Sequence, residues 1–307
     1  MHASSSSESP IARAGAADGP FVSVGMPVFN GELFLRGAID SMLAQSHTNL
    51  ELIISDNAST DGTAAIAGEY AARDPRVRYF RQARNIGAPR NWNFVATCAR
   101  GKYMKWASAN DYCDTRMLAA CIEVLESDPQ VVLCYGTTRL VDETTGAVHP
   151  YDGDLSITDE QPSARLSRLL AEMRLNNAIS GLIRTEVLRK TRLIRPYAGG
   201  DLVLMAELSM AGMFVLLQDP FLFRRIGEHS FSGYLFDTEL RTFLDPQAKL
   251  GTDLDRLRMN IDYFASALRA SISLGEKLRA LTLVAHSAYW SIRTKVVRTR
   301  HGSGVGR

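Results

Sequence analysis

The segment Ser108–Asp111 places small polar groups and one carboxylate directly after an apolar, aromatic stretch that begins at Lys102. That stretch has the composition of a buried strand, and Asp114 stands where a helix is expected to begin. Ligands of α/β proteins bind beyond the carboxyl ends of such strands. We therefore expect the carboxylate of Asp111 to hold part of a ligand.

Three further predicted strands end in small, polar or acidic residues, at Pro27–Asn30, Asp56–Ser59 and Asn85–Gly87. The segment MPVFNGE after the first strand contains neither GxGxxG nor GxxxxGK(S/T), which argues against a dinucleotide-binding or P-loop protein. The chain also lacks GxSxG, so no nucleophile elbow is predicted. The candidate chemistry therefore rests on carboxylates and amides at strand ends.

Strand and helix patterns alternate four times from Phe21 onward, which predicts an α/β fold with a mostly parallel sheet covered by helices on both faces. The first strand is expected to end at Pro27, because proline cannot continue a central ladder. Asp61 and Asp114 are expected to cap the helices that follow them. The later predicted strands are Leu50–Asp56, Val77–Arg81, the stretch from Lys102, and Val131–Val141.

The second half of the chain is predicted to hold a surface loop over residues 148–162, a helix over Ala164–Leu175, and a strand that enters a helix near Ile183. A further helix is expected over Asp201–Gly212, followed by two short strands broken by Pro220. Residues 235–300 predict three helices, which need not belong to the sheet.

Composition excludes several classes of protein. The chain has 307 residues, 46% of them hydrophobic, and a net charge of only +2. So small a net charge creates no overall electrostatic field that would attract nucleic acid. Residues 1–19 lack the apolar core of a secretory signal and are interpreted as a disordered leader. No apolar window is long enough for a transmembrane helix, and a cytoplasmic protein is expected. Buried free thiols are expected for the four cysteines, Cys98, Cys113, Cys121 and Cys134.

Several motifs that follow one another along the chain resemble those of the family 2 glycosyltransferases. MPVFNGELFLRGAIDSMLAQSHTNLELIISDNASTDGT resembles their opening segment, in which a Pro-x-(Tyr/Phe)-Asn turn precedes a helix and a strand ending in Asp-(Asp/Asn)-x-Ser-x-Asp-Gly. RQARNIGAPRNWN is similar to their Asn-x-Gly segment, and ASANDYCD to their metal-binding Asp-x-Asp region. GGDLVLMAELSMAG and FRRIGEH resemble their downstream segments. The resemblance covers about Phe21–His229.

The resemblance implies a GT-A fold and transfer of a sugar from a nucleotide diphosphate donor with inversion at the anomeric carbon. It divides the chain into the leader, a glycosyltransferase domain over residues 20–232 and a C-terminal helical region over 233–307. Within the domain, residues 20–145 would form the donor half and 146–232 the acceptor half. Asp56 would accept a hydrogen bond from the base of the nucleotide. The remaining implied donor-binding residues are Pro27, Phe29, Asn30, Asn85, Gly87, Arg90, Ser108, Asn110 and Arg225.

Some of these residues also suit a purely structural role. Phe29 could equally belong to the core, and Gly87 could serve a plain turn. Ser59 and Asp61 fit better as turn and helix-cap residues than as ligands of the donor.

By the same resemblance, Asp111 would hold Mg²⁺ or Mn²⁺, which stabilises the negative charge on the departing diphosphate. His229 would be a second ligand of the metal. Ser108 and Asn110 stand where family members often carry Asp, so weaker metal affinity is expected. Either Asp111 or, one position earlier, Asn110 would face the metal, and both residues would also suit a turn that caps the next helix.

Asp201 would be the general base that takes the proton of the acceptor hydroxyl, although an aspartate at a helix N-terminus also serves as a cap. Gly200 replaces the Glu that often precedes this residue in the family. Two alternatives stay open: a catalytically degenerate binder of nucleotide sugars, and a nucleotidyltransferase. The latter normally shows a Gly-rich basic loop after the first strand, which this chain lacks.

The expected partners are a UDP- or dTDP-sugar and a glycan, lipid-linked or small-molecule acceptor, in the synthesis of a cell-surface polysaccharide or a glycosylated metabolite. The last predicted helix combines apolar residues with Arg293, Lys295, Arg298 and Arg300. It could be solvated, join two copies of the chain, or lie on the inner face of a membrane.

Overall fold

The computed structural model describes residues 19–227, 243, 244, 246 and 253–301. Most of the predicted leader and His229 lie outside the described residues. Nine strands are found in the described part of the chain, namely β1 (Val22–Val28), β2 (Leu50–Asp56), β3 (Val77–Arg81), β4 (Tyr103–Trp106), β5 (Tyr112–Cys113), β6 (Val131–Asp142), β7 (Val148–Pro150), β8 (Leu182–Arg184) and β9 (Met213–Ile226).

The helices follow the predicted alternation through the first half of the chain and then continue to the last described residue. They are α1 (Leu35–Leu43), α2 (Thr63–Arg73), α3 (Ala88–Cys98), α4 (Met117–Ser127), α5 (Pro162–Glu172), α6 (Thr185–Leu188), α7 (Gly200–Ala211), α8 (Asp253–Arg269) and α9 (Leu274–His301). A single 3₁₀ turn, Asn177–Ser180, precedes β8. None of the described helices is both long and apolar enough to cross a membrane.

One sheet runs in the order β3-β2-β1-β4-β8-β6-β9-β5, with β7 beside β6. The pairs among β1 to β4 are parallel, as the alternation predicts, and so is the pair β6–β9. Strand β8 pairs antiparallel with both β4 and β6. Strands β4, β6 and β9 therefore point the same way, and their carboxyl ends lie along one edge of the sheet.

Two apolar cores lie on the two faces of this sheet. One contains Leu35, Ile39 and Tyr70 from α1 and α2, and the other contains Val95 from α3 and Leu204 from α7. The second core also receives side chains from the C-terminal helices, Tyr263, Ala267, Ala280 and Val284. Helices on both faces explain the apolar runs of the central strands, as predicted.

Three predicted boundaries are wrong. Strand β1 continues through Pro27 to Val28, because β4 pairs with it only as far as Gly25, so the proline borders a single neighbour there. Strand β9 is continuous through Pro220, where shifts in its register with β6 accommodate the missing N–H. Residues Val148–Pro150, predicted as loop, form β7.

The prediction that Asp61 and Asp114 cap the next helices is wrong, because Gly62 and Arg116 hold the N-cap positions and no side chain caps either helix. The two aspartates lie two and three residues before the helices begin. Asp61 Oδ1 accepts the backbone N–H of Thr63 at 3.0 Å, and Asp114 Oδ1 accepts that of Arg116 at 2.9 Å. Each carboxylate thus stabilises the turn that leads into its helix. All four cysteines are free, as predicted, and Cys113, Cys121 and Cys134 are buried, whereas Cys98 is only partly buried.

Candidate active site

A cavity of about 570 Å³ opens at the edge of the sheet where β4 and β9 end. Its wall brings together five of the predicted site residues, Ser108, Asn110, Asp111, Asp201 and Arg225. The other wall residues come from the start of α3, from residues 174–180, from the segment that leads into α7, from the end of β9, and from Phe243 and Leu244. The cavity therefore joins the loop after β4 to the second half of the chain.

Asp111 is held by the end of β9. Its Oδ1 accepts the backbone N–H of Arg225 at 2.9 Å, and the guanidinium of Arg225 donates to the carbonyl of Asn110. That guanidinium lies over the rings of Phe34 and Tyr112, 4.5 and 5.1 Å from their centroids. The loop after β4 is thus locked to β9 by the backbone and the side chain of a single arginine.

Burial raises the pKa of the Asp111 carboxyl above its ordinary value. The hydrogen bond from the Arg225 backbone and the positive charges of Arg224 and Arg225 act in the opposite direction, and burial outweighs them. A carboxylate in these surroundings gains from a further positive charge, since its ionised form is poorly solvated.

Asp201 lies in the first turn of α7, and the side-chain amide of Asn176 donates to its Oδ2 at 2.9 Å. The N-cap position belongs to Gly199, which adopts a left-handed φ of 82°, and no side chain caps the helix. Asp201 therefore does not act as the N-cap. It is a partly buried wall residue of the cavity, oriented by a neighbouring amide.

The predicted base-binding residue, Asp56, is fully buried at the end of β2 and does not line the cavity. Its Oδ1 accepts the backbone N–H of Ser59 at 2.8 Å, and its Oδ2 accepts the hydroxyl of Tyr79 at 3.1 Å. The Nε of Arg81 lies 3.7 Å from the same Oδ2. In this structure Asp56 organises the strand ends around it.

Neighbouring predicted residues stabilise the adjoining turns. Asn30 has a left-handed φ of 50°, its N–H donates to Ser59 Oγ at 2.9 Å, and its Oδ1 accepts the N–H of Thr60 at 2.9 Å. Ser59 therefore has the turn role predicted for it. Phe29 is 44% exposed, so it does not belong to the core. Like Asp56, neither Phe29 nor Pro27 lines the cavity.

Hydrogen bonds of side-chain amides stabilise the Asn85–Gly87 segment. Asn57 Nδ2 donates to Asn85 Oδ1 at 2.8 Å, and Asn57 Oδ1 accepts the N–H of Ile86 at 2.9 Å. Gly87 has a left-handed φ of 84°, and a Cβ on it would stand 2.5 Å from the carbonyl oxygen of Leu244, a cavity-wall residue. This close approach is a stronger requirement for glycine than a plain turn. Exposed Arg90 donates to the Ile86 carbonyl at 3.2 Å.

A polar network beside the cavity was not predicted. Arg224 donates to Asn177 Oδ1 at 2.7 Å, and Asn177 Nδ2 donates to Asp154 Oδ1 at 2.9 Å. The other oxygen of Asp154 accepts the backbone N–H of Thr138 at 2.7 Å. Burial raises the pKa of Asp154 despite these bonds. The adjacent amides Asn176-Asn177 in an otherwise apolar segment were the signal in the sequence.

The wall of the cavity suits a divalent cation that brings other ligands with it. In the described part of the chain no group of three or more His, Cys, Asp and Glu side chains comes together. Mg²⁺ in phosphate-transfer sites is commonly bound through one or two carboxylates plus oxygens of the substrate. Asp111, with the Asn110 amide beside it, meets that requirement, whereas a cage made of protein ligands alone is not offered.

Comparison with known proteins agrees with the site. The profile of glycosyl transferase family 2 matches residues 23–194, more than half of the chain. An uncharacterized protein of Mycobacterium tuberculosis is 36% identical over 118 residues, 38% of this chain and 34% of that protein. Chondroitin synthase of Escherichia coli is 31% identical over 123 residues, 40% of this chain and 18% of the synthase. The chain thus spans about a third or less of the length of these two relatives.

Two solved structures show the same fold at low identity. Residues 1–349 of Staphylococcus aureus TarS, in complex with UDP-GlcNAc, superpose with a TM-score of 0.63 at 15% identity, covering 88% of this chain and 72% of that chain. A mannosyltransferase of Pyrobaculum calidifontis, in complex with GDP-Man and Mn²⁺, gives a TM-score of 0.56 at 15% identity, covering 94% and 76%. The curled sheet with its flanking helices is the architecture of GT-A glycosyltransferases. The chain belongs to glycosyl transferase family 2.

Proposed function

We propose that the protein transfers a sugar from a nucleotide diphosphate donor to an acceptor hydroxyl with inversion at the anomeric carbon. The observation that carries this proposal is the presence of Asp111 and Asp201 on the wall of one cavity. One carboxylate, Asp111, stands among groups that suit a diphosphate, and the other is oriented by Asn176. An inverting transfer needs both a group that stabilises the departing diphosphate and a base that takes the acceptor proton, and it needs them at a single reacting centre.

On the donor side, Arg224 and Arg225 place two positive charges on the cavity wall next to Asp111. A departing nucleoside diphosphate gains negative charge, and preorganised cations stabilise that charge in the transition state. A divalent ion, Mg²⁺ or Mn²⁺, held through Asp111 would supply further positive charge and polarise the bond to the leaving oxygen. Asp56, Asn30 and the Asn85–Gly87 segment would shape the pocket for the base and ribose.

The donor class is proposed to be a UDP- or dTDP-sugar. Solved proteins of the same fold contain UDP, UDP-GlcNAc or GDP-Man, which supports a nucleotide sugar in general. Asp201 would take the proton of the attacking hydroxyl. Its hydrogen bond from Asn176 leaves Oδ1 to face the acceptor and fixes the plane of the carboxylate. The acceptor would be a glycan, a lipid-linked sugar or a small molecule.

The test combines ligand binding with turnover. Thermal shifts are measured with UDP, dTDP, GDP and CMP, each with Mn²⁺ or with EDTA, for the wild type, Asp111→Ala and Asp201→Asn. Saturation at a hundred times the Kd stabilises by about 2.7 kcal/mol. We expect a Mn²⁺-dependent shift with UDP or dTDP that Asp111→Ala removes and Asp201→Asn retains.

Hydrolysis or transfer of the matching nucleotide sugar should disappear in Asp201→Asn. Donor binding without turnover in the wild type would instead favour the degenerate binder. Release of pyrophosphate from a nucleoside triphosphate and a sugar phosphate would identify a nucleotidyltransferase. Full activity of Asp201→Asn would disprove the assignment of the base.

A further inference from the structure

Apolar side chains on the C-terminal helices are unusually exposed. Of the eight large hydrophobic residues that are exposed in the described part of the chain, five lie on α8 and α9. We call these five the outer stripe: Leu257, Ile261 and Leu268 on α8, and Leu274 and Leu278 on α9. Their exposed fractions run from 54% to 74%, so their side chains are largely in contact with water.

The outer stripe is the side of each helix that faces away from the core. Leu257, Ile261 and Leu268 repeat at helical spacing and share one face of α8, whereas Tyr263 and Ala267 on its other side are buried. Ala280 and Val284 are likewise buried on the inner side of α9. Each helix is therefore apolar on two sides, and only the inner side is covered by the described chain.

Positive charge predominates among the described side chains near the outer stripe. Residues 255–288 contain five Lys and Arg against three Asp and Glu. Two of these acids are buried and bonded: Asp262 accepts from Arg192 and Arg195, and Glu276 accepts the N–H of Ser163.

The basic side chains instead point outward. Arg256, Arg258, Arg269 and Arg279 are exposed, and Arg258 and Arg279 each pair with an acid of their own helix. Asp255, the partner of Arg258, is largely covered. An apolar stripe with a basic border is the pattern of a helix that lies in the interface of a membrane.

We propose that the outer stripe docks onto an anionic lipid surface. The leucines and isoleucine would enter the boundary between headgroups and acyl chains, and the surrounding arginines and Lys277 would lie near the headgroup phosphates. A second copy of the chain is a poorer occupant, because two such faces would bring basic borders against each other. The positive border instead complements anionic lipid.

This docking connects the lipid surface to the cavity through α8. The inner side of α8 contacts cavity-wall residues: Asp262 accepts the hydroxyl of Tyr197, and the sulfur of Met259 lies 2.8 Å from where a Cβ on Gly199 would stand. A helix with its side chains is about 10–12 Å across. The cavity wall would therefore lie about one helix diameter from the lipid, within reach of an acceptor held at the membrane.

The test is co-sedimentation of the full chain with two kinds of vesicle, one of phosphatidylcholine alone and one of phosphatidylcholine mixed equally with phosphatidylglycerol. The variants are Leu257→Ser/Ile261→Ser, which removes two of the three stripe residues on α8, and Arg269→Glu/Lys277→Glu, which reverses two charges of the border. Leu33→Ser and Lys102→Glu are the matched controls, since both residues are exposed and lie outside α8 and α9.

We expect the wild type to bind the anionic vesicles, with binding that weakens as salt is added. Each double variant should lower the partition coefficient about tenfold or more, while its melting temperature and both controls stay close to the wild type. Equal binding of the wild type to neutral and anionic vesicles, no binding to the anionic ones, or wild-type binding by both double variants would overturn the proposal. So would a concentration-dependent dimer that Leu257→Ser/Ile261→Ser dissociates, because a second copy would then cover the stripe.

Discussion

The carboxylate of Asp111 accepts the backbone N–H of Arg225 at 2.9 Å, although 114 positions separate the two residues. This hydrogen bond joins the loop between β4 and β5 to the end of β9 at the edge of the sheet where the cavity opens. Because the donor is a backbone group, substitution of the Arg225 side chain tests the guanidinium without removing the bond to Asp111.

Arg225→Met is expected to lower kcat/KM for the donor about 100-fold, ~2.7 kcal/mol of transition-state stabilisation. The variant retains apolar contact with Phe34 and Tyr112 but loses the positive charge beside the diphosphate. Steady-state kinetics with the donor found by thermal shift would measure the change. Arg116→Met, at an exposed arginine beyond the cavity wall, is the control and should keep wild-type rates. Unchanged kinetics in Arg225→Met would remove this residue from the donor site.

Asp201→Asn is expected to lower kcat about 10²–10⁴-fold, the usual contribution of a general base, with a donor KM close to that of the wild type. Asparagine keeps an oxygen that can accept from Asn176, so the local structure should persist. Asp219→Asn, at an exposed carboxylate outside the cavity wall, should behave like the wild type. An equal loss in both variants would show that the effect does not come from the proposed base.

Gly87→Ala is expected to destabilise the protein by about 1–3 kcal/mol from its backbone conformation alone (φ 84°, ψ 149°), with a further cost from the approach to Leu244. Gly37→Ala is a matched control, because no atom lies within 4 Å of its added Cβ and the residue sits in α1. In the helix the same change should stabilise by about 0.5–1 kcal/mol. Urea denaturation of both variants would measure the difference, and equal midpoints would contradict the role of Gly87.

Asp262 should make the free energy of unfolding depend on pH in the acid range. Burial raises the pKa of its carboxyl, but the hydrogen bond from Tyr197 and the charges of Arg195 and Arg192 outweigh burial and lower it overall. A carboxyl whose pKa is lowered in the folded state stabilises the protein fully at a pH above its pKa in the unfolded state, about 3.9. That stabilisation is lost as the pH falls through the pKa of the folded state.

We therefore expect Asp262→Asn to cost about 1.5–3 kcal/mol at neutral pH, because hydrogen bonds to charged groups are lost while Arg192 keeps its pair with Glu207 and Arg195 is 39% exposed. The difference from the wild type should shrink as the pH falls below about 4. Denaturant titrations at a series of pH values would measure it. Asp142→Asn, at the end of β6 where its hydrogen bonds to the next turn are exposed, is the control and should cost far less at neutral pH. A cost for Asp262→Asn that stays constant down to pH 3 would show that its charge is not the stabilising property.

Local patterns predicted the strands and helices of the first half well, since apolar runs and turn residues act over a few positions. Departures occurred where neighbours in space decide the outcome. Pro220 stays inside a strand because β6 shifts its register opposite it. Phe29 is exposed although its residue type would equally suit a core position.

The residues of the candidate site were likewise predicted only in part from the sequence. The polar strand ends were evident in the sequence, and parallel pairing brings carboxyl ends to one edge, so Ser108, Asn110 and Asp111 lie on the cavity wall as a strand-end site requires. Arg224 lay in FRRIGEH but had no predicted role, and Asn176 and Asn177 belonged to no motif. They enter the site because strands and turns distant in sequence meet beside β4.

The sequence by itself determined the alternation of elements, the family and the residue types at the strand ends, because these depend on local periodicity and short motifs. Only the tertiary structure decided that Asp56 is enclosed by Ser59, Tyr79 and Arg81, and that Arg225 anchors Asp111. It also decided that α8 covers the cavity wall on one side and exposes an apolar stripe on the other. Those outcomes depend on which distant surfaces are buried together, which no short segment specifies.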